Sequence, residues 1–72
     1  MHHRQHVKPV IVTDEFPPTV SAVCVKISGQ PFAVVSRAAV ADLGRHAEIM
    51  RALTIGGISR QAICEVLDGV RS

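Results

Sequence analysis

Hydrophobic positions alternate in the first half of the chain and recur with a helical period in the second half. The change falls near Ser36: Val, Ile and Pro dominate before it, and Ala, Leu, Arg and Glu after it. Residues 10–12 (VIV) follow Pro9 and predict a short strand. Because proline has no N–H to donate to a ladder, this strand is best placed at the edge of a sheet.

Residues 20–27 and 32–35 predict the two strands of a hairpin. Residues 28–31 separate them, with Gly29 suited to the first central position of a tight turn. Pro31 would then close that turn without an N–H, so we expect a looser loop or an irregular register. The first of these strands has one strongly apolar side, since Val23, Val25 and Ile27 share one face and Ala22, Cys24 and Lys26 share the other.

Residues 37 to about 54 predict one long helix with Ser36 as its N-cap. Gly44 lies inside it and costs about 1 kcal/mol relative to alanine, which favours a break or a close packing contact there. The apolar stripe that supports the helix consists of Val40, Leu43, Ala47, Met50 and Thr54, widened by Ala39, Ile49 and Leu53.

A second helix is predicted to begin after the interruption at residues 55–58. Ser59 is suited to be its N-cap, and Ile58 and Ile63 are spaced as a hydrophobic staple. Gly69 is placed as the glycine that ends it. The predicted buried stripe is Ala62, Ile63, Val66 and Val70, with Arg60, Gln61, Cys64, Glu65 and Asp68 facing outward.

Together these elements predict an α+β fold, with an N-terminal β-strand and a β-hairpin followed by a two-helix hairpin (βββαα). We expect a flexible tail over residues 1–8 and a single domain over residues 9–72. Of the 72 residues 47% are hydrophobic but only 3% aromatic. A core built from such small side chains is shallow, and chains of this size bury only about 60% of their unfolded surface. We therefore expect a homodimer that shares its core.

The charge and the cysteines limit the classes of partner. The formal net charge is only +2, with basic and acidic residues spread evenly along the chain. Since nucleic-acid affinity depends on neutralised phosphates, this balance favours weak binding per monomer or a partner that is not nucleic acid.

The N-terminus lacks the apolar segment of a secretory signal, and no apolar run is long enough to span a membrane. We expect a cytoplasmic protein with Cys24 and Cys64 reduced.

Residues 57–69 (GISRQAICEVLDG) resemble the turn and recognition helix of helix-turn-helix transcription regulators of the Cro and phage-repressor type. The resemblance covers 13 of the 72 residues. It implies binding to double-stranded DNA, with Ser59 on a phosphate and Arg60 and Gln61 near the major groove. It further implies that Cys64 stands where the family usually has a serine and that Arg71 contacts the DNA backbone.

Two other registers fit the same segment. Residues 47–53, 57–59 and 61–67 together resemble the first two helices of resolvase and transposase trihelical domains, in which case the DNA-reading helix is absent. A strand followed by two helices with a Gly-x-Ser turn also resembles ribbon-helix-helix proteins, in which a paired strand does the reading. All three resemblances share the helix, turn and helix.

The alternative function is docking on another protein without nucleic-acid binding, through the edge strand, the hairpin or a helix face. Small phage- or plasmid-encoded inhibitors of host machinery, such as RNA polymerase, and antitoxins are often of this size. The sequence contains no glycine-rich phosphate loop, carboxylate pair or zinc-ligand spacing. We accordingly expect neither an enzyme nor a cofactor or metal site.

Overall fold

The computed structural model describes residues 9–71, with side chains for residues 9–69. The tail predicted for residues 1–8 lies outside this part of the chain. The predicted α+β class is confirmed: a three-stranded sheet is followed by helices. In chain order the elements are β1 (Val10–Thr13), β2 (Ala22–Ile27), β3 (Gln30–Ser36), α1 (Arg37–Ala41), a 3₁₀ turn (Leu43–Arg45), α2 (His46–Ile55) and α3 (Arg60–Arg71).

The sheet has the strand order β1-β3-β2, so β3 is central and β1 lies at an edge as predicted. β1 runs parallel to β3, with Val10 opposite Ala33, and β2 runs antiparallel to it. The Ala33 N–H donates to the carbonyl of Pro9. Pro9 thus takes part in the ladder only as an acceptor, the role that proline can fill.

The β2–β3 connection is a tight two-residue turn, so the expected loose loop is wrong. Ser28 and Gly29 both have positive φ, 54° and 81°, as a type I′ turn requires. The turn lies one residue earlier than the sequence suggested, and Ile27 pairs with Gln30. Pro31 is opposite Lys26, in the pair next to the closing one. Antiparallel pairs alternate between exchanging hydrogen bonds and exchanging none, so the missing N–H is tolerated.

All the helices cover the same face of the sheet, which makes the molecule a two-layer structure. α1 packs on β3, α2 on β2 and α3 on β1. Between the layers lies the hydrophobic core: Val10, Ala33, Val35, Ala39, Val40, Ile49, Leu53, Ile58, Ile63 and Leu67.

The long helix predicted over residues 37–54 is divided at Asp42, which has an extended backbone with φ −102° and ψ 105°. Ser36 caps α1 as predicted, accepting a hydrogen bond from the Ala39 N–H at 3.3 Å. The Asp42 carboxylate accepts from the Gly44 N–H at 3.0 Å. Such a local bond competes with helix formation and starts the 3₁₀ turn. The break turns Leu43 away from the core, leaving it 62% exposed.

The predicted end of the last helix is also wrong, because α3 continues through Gly69 to Arg71. A C-terminal glycine cap needs positive φ, which in the described chain only Gly29 and Gly57 have among the glycines. Gly69 is therefore an ordinary helical residue. None of the described helices combines the length and the apolar composition that crossing a membrane requires.

Candidate nucleic-acid interface

The turn between α2 and α3 is defined by three backbone hydrogen bonds. The Gly56 N–H donates to Ala52 O at 3.0 Å, the Gly57 N–H to Thr54 O at 3.1 Å and the Ile58 N–H to Leu53 O at 2.9 Å. The last two form a Schellman motif, in which the residue after the helix adopts positive φ. Gly57 meets this need with φ 95°. The sequence analysis missed this cap, although a glycine followed by an apolar residue is its usual signal.

The N-terminus of α3 is capped by Ser59, as predicted. Its hydroxyl oxygen accepts from the Ala62 N–H at 3.2 Å, and its carbonyl accepts from the Ile63 N–H at 3.1 Å. Ile58 and Ile63, the predicted staple, are 4% and 0% exposed. Burying this pair fixes the direction in which the chain enters α3.

α1, α2 and α3 contact one another pairwise, so α2, the turn and α3 belong to a three-helix unit. α2 and α3 contribute Ile49, Leu53, Ile63 and Leu67 to the shared core. We call α2, residues 56–59 and α3 together the helix-turn-helix unit. The shared core holds α2 and α3 in place, and the Schellman turn and the Ser59 cap fix residues 56–59 between them.

The predicted DNA-contacting residues are brought together at one end of α3. Ser59, Arg60 and Gln61 are exposed, while Cys64, one turn further on, is half-buried. Arg71 lies at the opposite end of α3, and its side chain is outside the described part. Four of the five predicted positions thus lie on one surface, with three of them open to solvent.

The positive charges near this end are few, and within the described part of the chain they form no ion pair. Arg60 makes no ion pair with any described residue, whereas Arg37 is bound to Asp14 with Nε and Oδ1 2.7 Å apart. Lys26 lines an open cavity of about 410 Å³ together with Gly56 and Gly57, which puts a second basic side chain beside the turn. Further along α3 the exposed Glu65 and Asp68 are acidic. Among the described side chains of α3, those at its N-terminal end are therefore the best suited to approach phosphates.

Cys24 on β2 contacts the C-terminal end of α2 and the start of the turn from the side of the sheet. Its thiol donates to Ala52 O at 3.5 Å, and burial raises the pKa of that thiol above its ordinary value. Because the proton is retained, the side chain behaves as a small apolar group with one weak donor. Cys24 and Cys64 are both free, half-buried thiols.

No family model, curated protein or solved structure matches this chain.

The other exposed feature is an apolar face of the sheet that the sequence analysis did not locate. Side chains alternate across a sheet, and in this one the helices cover the face formed by Val10, Ala22, Cys24, Ala33 and Val35. The opposite face has no layer on it within the described residues. We call it the open sheet face, and its apolar residues are Ile11, Val23, Val25, Ile27, Phe32 and Val34.

Proposed function

We propose that this protein is a small transcription regulator that binds double-stranded DNA with the N-terminal end of α3. The observation that carries the proposal is the exposure of Arg60 and Gln61 on a helix whose position is determined by a Schellman turn, a serine cap and a supporting helix. In helix-turn-helix regulators the first residues of the second helix reach base edges while the unit crosses the backbone.

Each side chain has a role that its chemistry allows. Arg60 presents a planar guanidinium that binds guanine or phosphate oxygens with two parallel hydrogen bonds. Gln61 presents an amide that is able to donate to and accept from adenine. The Ser59 oxygen already accepts from Ala62 N–H, but its hydroxyl proton remains available to a phosphate. Cys64 then lies at the rim of the contact.

The charges predict modest, salt-sensitive binding. With Arg60 and Lys26 as the basic groups near the turn, each copy would neutralise about two phosphates, which corresponds to a slope of log K against log salt near −2. The exposed Glu65 would repel a duplex lying along the whole of α3, so an end-on approach is favoured. Two copies bound together would double this slope.

The test is titration of the full-length protein onto a fluorescent random-sequence duplex at several salt concentrations. Arg60→Ala should weaken binding and reduce the slope by about 0.9, the contribution of one phosphate contact. The matched control is Arg37→Ala, which removes the same charge from an exposed residue bound to Asp14. It should leave the slope unchanged.

Two results would overturn the proposal. One is the absence of binding even at low salt, which would favour docking on a protein instead. The other is an equal effect of Arg60→Ala and Arg37→Ala, since that would mean that net charge and not the end of α3 determines the affinity.

A further inference from the structure

The open sheet face exposes β-branched side chains that normally belong in a core. Ile11 is 55% exposed, Val23 and Val25 are each 43% exposed, and Ile27 is 57% exposed. They are contiguous, because Ile11 and Val23 both pair with Val34 on the central strand. Contiguous apolar patches of this kind on a protein surface are often interaction sites.

The amount of surface limits what can cover this face. Together the four exposed side chains form an apolar patch on the order of a few hundred Å², within the range of the largest patches on monomers. Each partner of a standard interface contributes about 800 Å². Adding the half-buried Phe32 and Val34 and the polar rim brings a pair of such faces near the ~1,000 Å² lower limit of a specific interface.

The charge on the face favours a second copy as the occupant. Outward-facing positions on the three strands carry Thr13 and Gln30 besides the apolar residues, and none of them is ionised. Two copies of this face therefore meet without like-charge repulsion and without burying an unpaired charge. Two such sheets pack face to face about 10 Å apart, with side chains from both interdigitating.

We infer that two copies of the chain associate through their open sheet faces, forming a four-layer dimer with helices on both outer surfaces. The helix-turn-helix unit lies on the other side of each sheet, so both copies keep Arg60 exposed. Dimerisation places two candidate interfaces on one particle and does not depend on whether they bind DNA.

The first measurement is sedimentation equilibrium of the full chain from 1 µM to 1 mM, without DNA. For an interface of this size we expect a reversible monomer–dimer equilibrium with a dissociation constant on the order of 10 µM. The melting temperature should rise with protein concentration, because dimerisation stabilises only the folded state. A chain that stays monomeric at 1 mM overturns the inference.

Variants show which surface associates. Val25→Lys places two like charges in the interface and should raise the dissociation constant about 100-fold. Val25→Thr keeps a β-branched residue in the strand and should raise it about tenfold, so it serves if the lysine variant does not fold. The control is Ala47→Lys, which adds the same charge to an exposed position on α2 and should have no effect. A dimer that tolerates both changes at Val25 overturns the inference.

A photo-crosslinking side chain at position 25, with position 47 as the control, identifies the occupant in cells. Adducts with the mass of two copies support the dimer, and adducts with another polypeptide alone overturn it. Arg60→Ala should leave the sedimentation unchanged, so this test and the DNA titration fail independently of each other.

Discussion

At the scale of single residues, the contact between Gly56 and Cys24 positions the start of the turn. A Cβ at position 56 would lie 2.5 Å from the Cys24 Sγ and 2.8 Å from its Cβ. Carbon atoms do not approach so closely, so a side chain at position 56 would force α2 away from β2. The missing side chain lets the thiol reach Ala52 O.

Gly56→Ala should lower the free energy of unfolding by about 1–3 kcal/mol, the usual cost of overpacking. Cys24→Ala removes the sulfur but leaves the Cβ, so it should relieve part of this strain. We expect the double variant to lose less stability than the sum of the single ones when measured by urea unfolding. Additive losses would mean that the two residues do not share this contact.

At the scale of the elements, α3 is capped at its N-terminal end but contains a glycine near its C-terminal end. Ser59 caps its first turn, whereas Gly69 sits in a helical conformation that needs no glycine. A Cβ at position 69 would meet nothing within 4 Å. Glycine at a helical position costs stability because the unfolded chain has more conformational freedom there.

Gly69→Ala should therefore raise the free energy of unfolding by about 0.5–1 kcal/mol. A domain of this size would melt roughly 4–8 °C higher for each 1 kcal/mol. Calorimetry measures the shift, and Gly57→Ala is the contrasting variant, because the φ of 95° at that position strains any other residue. A loss of stability in Gly69→Ala would show that the helix ends before this residue after all.

At the scale of the whole molecule, a polar cluster joins the segment before β2 to the helical layer. Ser21, only 4% exposed, accepts from Arg45 Nε at 3.1 Å and Nη2 at 2.7 Å. Its hydroxyl donates to Glu48 Oε1 at 3.1 Å. One hydroxyl thus links the Arg45 guanidinium and the Glu48 carboxylate, which form no ion pair of their own in the described structure.

Ser21→Ala should lower the free energy of unfolding by about 1–3 kcal/mol, because hydrogen bonds to charged groups are stronger than neutral ones. The comparison variant is Asp14→Ala, which breaks an exposed ion pair with Arg37 and should cost at most about 1 kcal/mol. Urea unfolding of both variants gives the difference. Equal small losses would mean that Ser21 contributes no more than a surface residue.

Several features of this fold are predictable from the sequence because they depend on neighbouring residues. The strand alternation, the α+β class and the serine caps at Ser36 and Ser59 depend on a few neighbouring residues, as does the exposure of Arg60 and Gln61 beside a cap. Two of the wrong predictions have local causes. The Asp42 carboxylate accepts from the Gly44 N–H and divides the predicted long helix. Ser28 and Gly29 form a tight turn where a loose loop was predicted.

Which face of β2 is covered could be decided only by the tertiary structure. Alternation separated Val23, Val25 and Ile27 from Ala22 and Cys24, but greater hydrophobicity did not put the first set inside. The smaller side chains let α2 and Gly56 approach the sheet closely, and that contact joins residues far apart in the chain. The sequence by itself therefore determined the α+β class, the strands and the serine-capped starts of two helices, whereas the packing of distant elements determined that the more apolar face remained open.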